Sequence, residues 1–173
     1  LPDGTILENT DGTTAYQFAE QIGPGLARAA LAAKINGKTV DLSTPIKGEV
    51  SLQLLTSKDE EGLEILRHSC AHIMAEAICK IWPTAQLVYG PTVRDGFYYD
   101  IDLDEAIRPE DFKRIEKEMI GIVKADTLFE RLAMNPDQAR EKMAGDKYKL
   151  DNIDRAESDT ISFYKHGNNG FED

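Results

Sequence analysis

The sequence holds only two cysteines, Cys70 and Cys79. Both fall on one expected helix, where a rise of about 1.5 Å per residue sets them roughly 13 Å apart. A disulfide needs Cα atoms within about 7 Å, so none is expected, and free thiols suit a reducing compartment. No apolar run approaches the roughly 18–20 residues that span a bilayer, and no signal-peptide pattern opens the chain. The expected location is therefore cytoplasmic, with no membrane partner. Cationic residues are scarce: 20 Lys and Arg face 31 Asp and Glu, a formal net charge of −11. That argues against broad sequence-independent nucleic-acid binding, though not against a local basic groove. Repeats and low-complexity tracts are absent. So is any Gly-x-x-x-x-Gly-Lys-Ser/Thr loop, which counts against a GTPase. The chain does not begin with Met and reads as a fragment of a longer protein.

What is present divides into two α+β units. Residues 1–56 suggest a small β-grasp, ubiquitin-like sheet with a helix across one face. Asp3-Gly4 signals a turn between short extended pieces, and Thr13 or Thr14 caps a helix to about Ile22. Gly23-Pro24-Gly25 breaks it. Asn36-Gly37 between extended flanks predicts a hairpin. A last strand over about 49–55 places Val50, Leu52 and Leu54 on one side. Residues 57–62 read as a polar linker. The larger unit, 63–173, is expected to be built on a long helix and a mainly antiparallel sheet. Its elements are a helix over 63–81 ended by Trp82-Pro83, strands near 86–89 and 96–103, and a helix opened by Pro109 with Phe112, Ile115, Met119 and Ile122 as its apolar stripe. A strand near 128–133, a helix after Asn135-Pro136 and an extended segment over 160–164 complete it.

The helix over 63–81 carries the chemistry. At 100° per residue Leu63, Leu66, Cys70, Ile73, Met74, Ala77, Ile78 and Ile81 form a core stripe. His68 and His72, neighbours at i and i+4, lie opposite, with Ile65, Ser69, Ala75, Cys79 and a single acid, Glu76. A solvated face would carry more Lys, Glu and Gln, so this face reads as a pocket wall. Imidazole suits a pocket because it donates, accepts and titrates near neutral pH. Two bystander histidines, or half of a zinc site, are the competing readings. Ser69 stands where His-Glu-x-x-His would have its Glu, and His166 is the only other histidine available as a ligand.

The stretches Glu60-Glu61-Gly62-Leu63-Glu64-Ile65-Leu66-Arg67-His68-Ser69-Cys70-Ala71-His72 and Tyr89-Gly90-Pro91-Thr92-Val93-Arg94-Asp95-Gly96-Phe97-Tyr98-Tyr99-Asp100 are similar to the editing domain of bacterial threonyl-tRNA synthetases. Residues 1–56, with Leu1-Pro2-Asp3-Gly4 and Ile35-Asn36-Gly37, resemble the TGS module that precedes that domain. The resemblance covers essentially the whole chain. It implies that His68, His72, Lys149 and Asp173 are catalytic in hydrolysing seryl-tRNA(Thr), and that Tyr99 lines the substrate pocket. It places a Cys-x-x-x-His element just after Asp173, so the 173-residue chain is expected to have little or no deacylase activity. It implies no cofactor for this chain. ATP, Mg and Zn belong to the parent ligase's catalytic core, tRNA(Thr) is the implied partner, and the whole enzyme is implied to be a homodimer through other domains.

The need for a hydrolytic site follows from physics. Serine lacks one methyl group of threonine, and a missing methylene supports only about 1–3 kcal/mol of discrimination. Ester hydrolysis needs a positioned water, a proton manager and help for the oxyanion. His72 or His68 suits the water and ribose hydroxyls, and Lys149 the negative charge. Cys70 reads as a small buried hydrophobe and Cys79 as a bystander. Two other classes remain: a zinc-dependent alanyl-tRNA editing hydrolase, and a TGS-based module that binds RNA or protein without catalysis.

Overall fold

A computed structural model describes residues 6–8 and 11–166 and the backbone of Phe171–Glu172. The Asp3-Gly4 turn and Asp173 lie outside the described residues. Contacts divide the chain into two units, Leu1–His68 and Ser69–Asp173.

In the first unit Thr14 caps α1 (Ala15–Ile22). Its side chain accepts from the backbone of Gln17, and the Gln17 side chain accepts from the Thr14 backbone in return. α2 (Pro24–Ala29) resumes behind Gly23 with Pro at its first position. β1 (Ala30–Ile35) turns at Asn36 and Gly37, with φ of 50° and 82°, into β2 (Lys38–Val40). Paired positive φ values twist the turn in the sense of the strands, and Asn-Gly adopts them with least strain. β3 (Leu52–Thr56) completes an antiparallel sheet of order β2-β1-β3. Ala15, Phe18, Ala33, Ile46 and Leu52 form the core beneath α1, with Val50 and Leu54 packed against it.

The last strand begins at Leu52 rather than near residue 49, and its other face is not solvated: Leu55 is 2% exposed. That face receives the start of α3 (Glu60–Ile81), where Lys34 pairs with Glu61 and Thr39 Oγ1 donates to Glu61 at 3.5 Å. The expected linker over 57–62 is a tight turn and the first helical residues. Asp59 Oδ2 accepts from the Thr56 amide at 2.7 Å and its hydroxyl at 2.9 Å, and these bonds hold the Asp59 carboxyl below the usual range. Gly62 packs so closely that a Cβ would fall 2.0 Å from the Thr56 carbonyl oxygen.

In the second unit α3 packs on α4 (Phe112–Ala125), which follows a 3-10 turn at Pro109–Asp111. Ala77, Ile78, Ile115 and Ile122 are buried between them, with Ile73, Met74, Ile81 and Met119 alongside. Leu66 departs from the expected core stripe at 43% exposed, and Phe112 from the α4 stripe at 54%. β4 (Gln86–Tyr89) pairs with β7 (Asp100–Asp102), and β5 (Thr92–Val93) with β6 (Gly96–Phe97). The single strand expected over 96–103 is thus two short ones.

β8 (Phe129–Met134), β9 (Ile161–His166) and β10 (Phe171–Glu172) form an antiparallel sheet of order β10-β9-β8. Its even alternation separates two faces. Leu132, Met134, Ile161 and Phe163 pack against Ala139 of α5 (Pro136–Lys142) and Ile153 of α6 (Lys147–Arg155). Phe129, Tyr164 and His166 therefore turn to the other face. The sequence reading did not expect a helix at α6. Among the described residues every strand pairing is antiparallel, as expected, but over three small sheets of this unit rather than one.

Candidate active site

His68 and His72 lie on one continuous helix, four residues apart. His68 is exposed and ends the first unit, whereas His72 is buried at 8% in the second. The face read as an open pocket wall is therefore largely covered at this level: Ala75 is fully buried and Glu76 is 2% exposed. What covers it is the second face of the β8–β9 sheet. The Tyr164 ring stands 5.5 Å from the His72 ring at 51°, and Phe129 stands 6.3 Å away at 54°. Phe129 in turn stacks on His166, centroids 4.3 Å apart at 21°.

His166, buried at 4%, links helix and sheet. Its Nδ1 bonds Glu76 Oε2, and its Nε2 lies 2.6 Å from the Thr127 hydroxyl. Lys80 Nζ sits 2.8 Å from Glu76 Oε1, a charge contact without the alignment of a hydrogen bond. Sequence reasoning considered His166 only as a possible zinc ligand, named Glu76 only as the single acid of the histidine face, and missed Phe129 and Tyr164. The available signals were Glu76 one helical turn beyond His72, and Tyr164 and His166 two residues apart in a strand. Among the described residues no three His, Cys, Asp or Glu side chains converge to hold a metal.

Lys149 lies half-buried in the first turn of α6, its amide donating to Asp146 Oδ1 at 3.0 Å. This helix is fastened to the β4–β7 pair. Tyr148 donates its hydroxyl to Asp102 at 2.6 Å, Lys147 approaches the same oxygen at 3.3 Å, and Asn152 donates to the Val88 carbonyl at 2.8 Å. The Tyr148 bond, then the Lys147 ammonium, hold the Asp102 carboxyl below its ordinary range. Tyr99, half-buried, immediately precedes β7 and covers Gly90. Tyr99 and Lys149 thus sit on neighbouring elements. His72 approaches the β8–β9 sheet from one face, while α6 packs on the other through Ile153. Cys70 and Cys79 are both half-buried thiols, and burial pushes the Cys70 thiol up, away from the reactive thiolate.

The fold is α+β, and residues 1–56 match the TGS domain family. The chain is 43% identical over 170 residues to threonine–tRNA ligase 1 of Bacillus subtilis (strain 168), covering 96% of this chain and 26% of that protein. It is 44% identical over 170 residues to the threonine–tRNA ligase of Desulforamulus reducens, covering 96% and 27%. To that of Desulfatibacillum aliphaticivorans it is 43% identical over 173 residues, covering 100% and 27%. The chain thus carries a TGS domain. Along its whole length it is homologous to bacterial threonine–tRNA ligases, and it spans about a quarter of the length of the curated relatives it matches.

Proposed function

We propose that this chain is the N-terminal region of a threonine–tRNA ligase and that its second unit hydrolyses seryl-tRNA(Thr). The observation that carries the reading is the His72 imidazole, buried beside Tyr164 and Phe129 on a helix anchored from behind by Ile78 and Ala77. An imidazole held this way keeps one orientation and can pass a proton without rearranging. In the proposed step a water oxygen attacks the seryl carbonyl carbon and loses its proton. The carbonyl oxygen carries the negative charge, and the ribose oxygen leaves with a proton, releasing serine and tRNA. His72, with His68 one turn earlier, orients the water and the ribose hydroxyls. On the resemblance alone, Lys149 is given the oxyanion, Tyr99 the pocket wall and Asp173 the remaining catalytic place. The parent enzyme attaches threonine to tRNA, working in the cytoplasm.

The TGS match favours a second reading, in which residues 1–56 recruit RNA or protein and the second unit is scaffold. Two measurements separate the readings. One is deacylation of seryl- and threonyl-tRNA(Thr) by the 173-residue chain and by a version extended into the region its relatives carry. The extended version is expected to act on the seryl ester, with His72→Ala slowing it about 100–10,000-fold. The other is titration with adenosine bearing serine through a 3′-amide, which cannot be hydrolysed, while the His72 ring is followed by NMR. An unaffected His72→Ala rate, or a His72 ring indifferent to the analogue, overturns the hydrolase reading.

A further inference from the structure

Glu76 and His166 are among the most buried polar side chains described, 2% and 4% exposed, and the proposed hydrolysis uses neither. A buried carboxylate is tolerated only when paired and hydrogen-bonded. Here its partners come from separate parts of the second unit. His166 of β9 meets one oxygen and Lys80 of α3 the other, with Glu118 of α4 3.8 Å behind Lys80. Thr127, in the turn before β8, occupies the remaining nitrogen of His166. If His166 donates from Nδ1, its Nε2 accepts from the Thr127 hydroxyl. If it is an imidazolium, it donates to both. Either way the ring cannot rotate without breaking a buried bond.

That fixed ring is the surface on which Phe129 stacks, and the Phe129 ring also stands against His72. Tyr164, whose ring also stands against His72, shares the face of β9 with His166 two residues along the same strand. We infer that Glu76 and His166 are positioning residues for His72, locking the strand end whose aromatic rings set the imidazole's place. This deepens the proposed function, resting on it only in taking His72 as the working imidazole. Neither Glu76 nor His166 is assigned contact with the substrate.

The test uses the whole 173-residue chain with 15N-labelled histidine, of which it has three, each assigned by single substitution. His68, exposed on the same helix, is the internal control. In His166→Leu, which keeps bulk but loses both bonds, the His72 ring nitrogens are expected to shift while those of His68 hold. In His166→Gln the amide can donate to Glu76 and accept from Thr127, so His72 is expected to return close to its original shifts. If His166→Leu does not fold, Glu76→Gln keeps the shape, removes the charge and is read the same way. A folded variant of either kind with His72 unmoved overturns the inference. A moved His72 in a chain whose extended version hydrolyses nothing keeps the inference and removes the hydrolase reading.

Discussion

The Tyr99 ring occupies the space that a side chain at Gly90 would need: a Cβ there would fall 2.3 Å from Tyr99 Cε2. Gly90 directly follows β4 and Tyr99 directly precedes β7, so the contact closes the end of that strand pair. Gly90→Ala is expected to displace the ring and cost about 1–3 kcal/mol, the usual penalty of overpacking. The checks are a urea midpoint and the Tyr99 ring resonances. A stable variant with the ring unmoved contradicts the packing.

Gly62 tests the junction between sheet and helix in the first unit. With its Cβ position 2.0 Å from the Thr56 carbonyl oxygen, backbone rather than a flexible side chain must yield. Gly62→Ala is expected to destabilise by at least about 1–3 kcal/mol despite the better helix propensity of alanine. Calorimetry decides it: a raised melting temperature would mean that the turn is looser than described.

On α4, Ile122 is 3% exposed and Phe112 54%, although both belong to the same apolar pattern. Ile122→Ala is expected to cost about 2–5 kcal/mol. Phe112→Ala is expected to stay within about 0.5 kcal/mol of the parent. Denaturant titration of both variants checks the contrast, and equal losses would place Phe112 in the core.

Acid should loosen α6. Asp102 has its carboxyl held low by the Tyr148 hydroxyl first and Lys147 second. A carboxyl depressed by folding adds stability that is complete above its unfolded value, about 3.9, and is lost as pH falls through the lower folded value. Tyr148→Phe removes the larger cause, so the Asp102 midpoint is expected to rise toward the ordinary value. Carbon-detected NMR titration of the carboxyl group measures this, and an unchanged midpoint would assign the effect elsewhere.

Much of the fold was legible because its signals are local. The helix cap at Thr13 or Thr14, the Asn36-Gly37 turn and the Asn135-Pro136 helix start each depend on residues within about one helical turn. Helix α6 was not legible because Ile153 is its one buried residue and most of the others are polar. The alignment of His68 and His72 followed from helical spacing. Their unequal burial did not, since spacing says which residues share a face and not how far along the helix a neighbour covers it.

By itself the sequence determined the order of two α+β units, the helix that carries the histidine pair and the likeness to threonyl-tRNA synthetases, because caps, turns, periodicity and motif order are written within short stretches of chain. Tertiary structure alone decided that Glu76, the single acid on a face read as a pocket wall, is buried against His166, 90 residues away. It also decided that Leu66 is left outside the core while Leu55 is enclosed from a second side. A side chain's burial depends on which distant element packs over it, and a carboxylate can stay inside only when that element brings a partner.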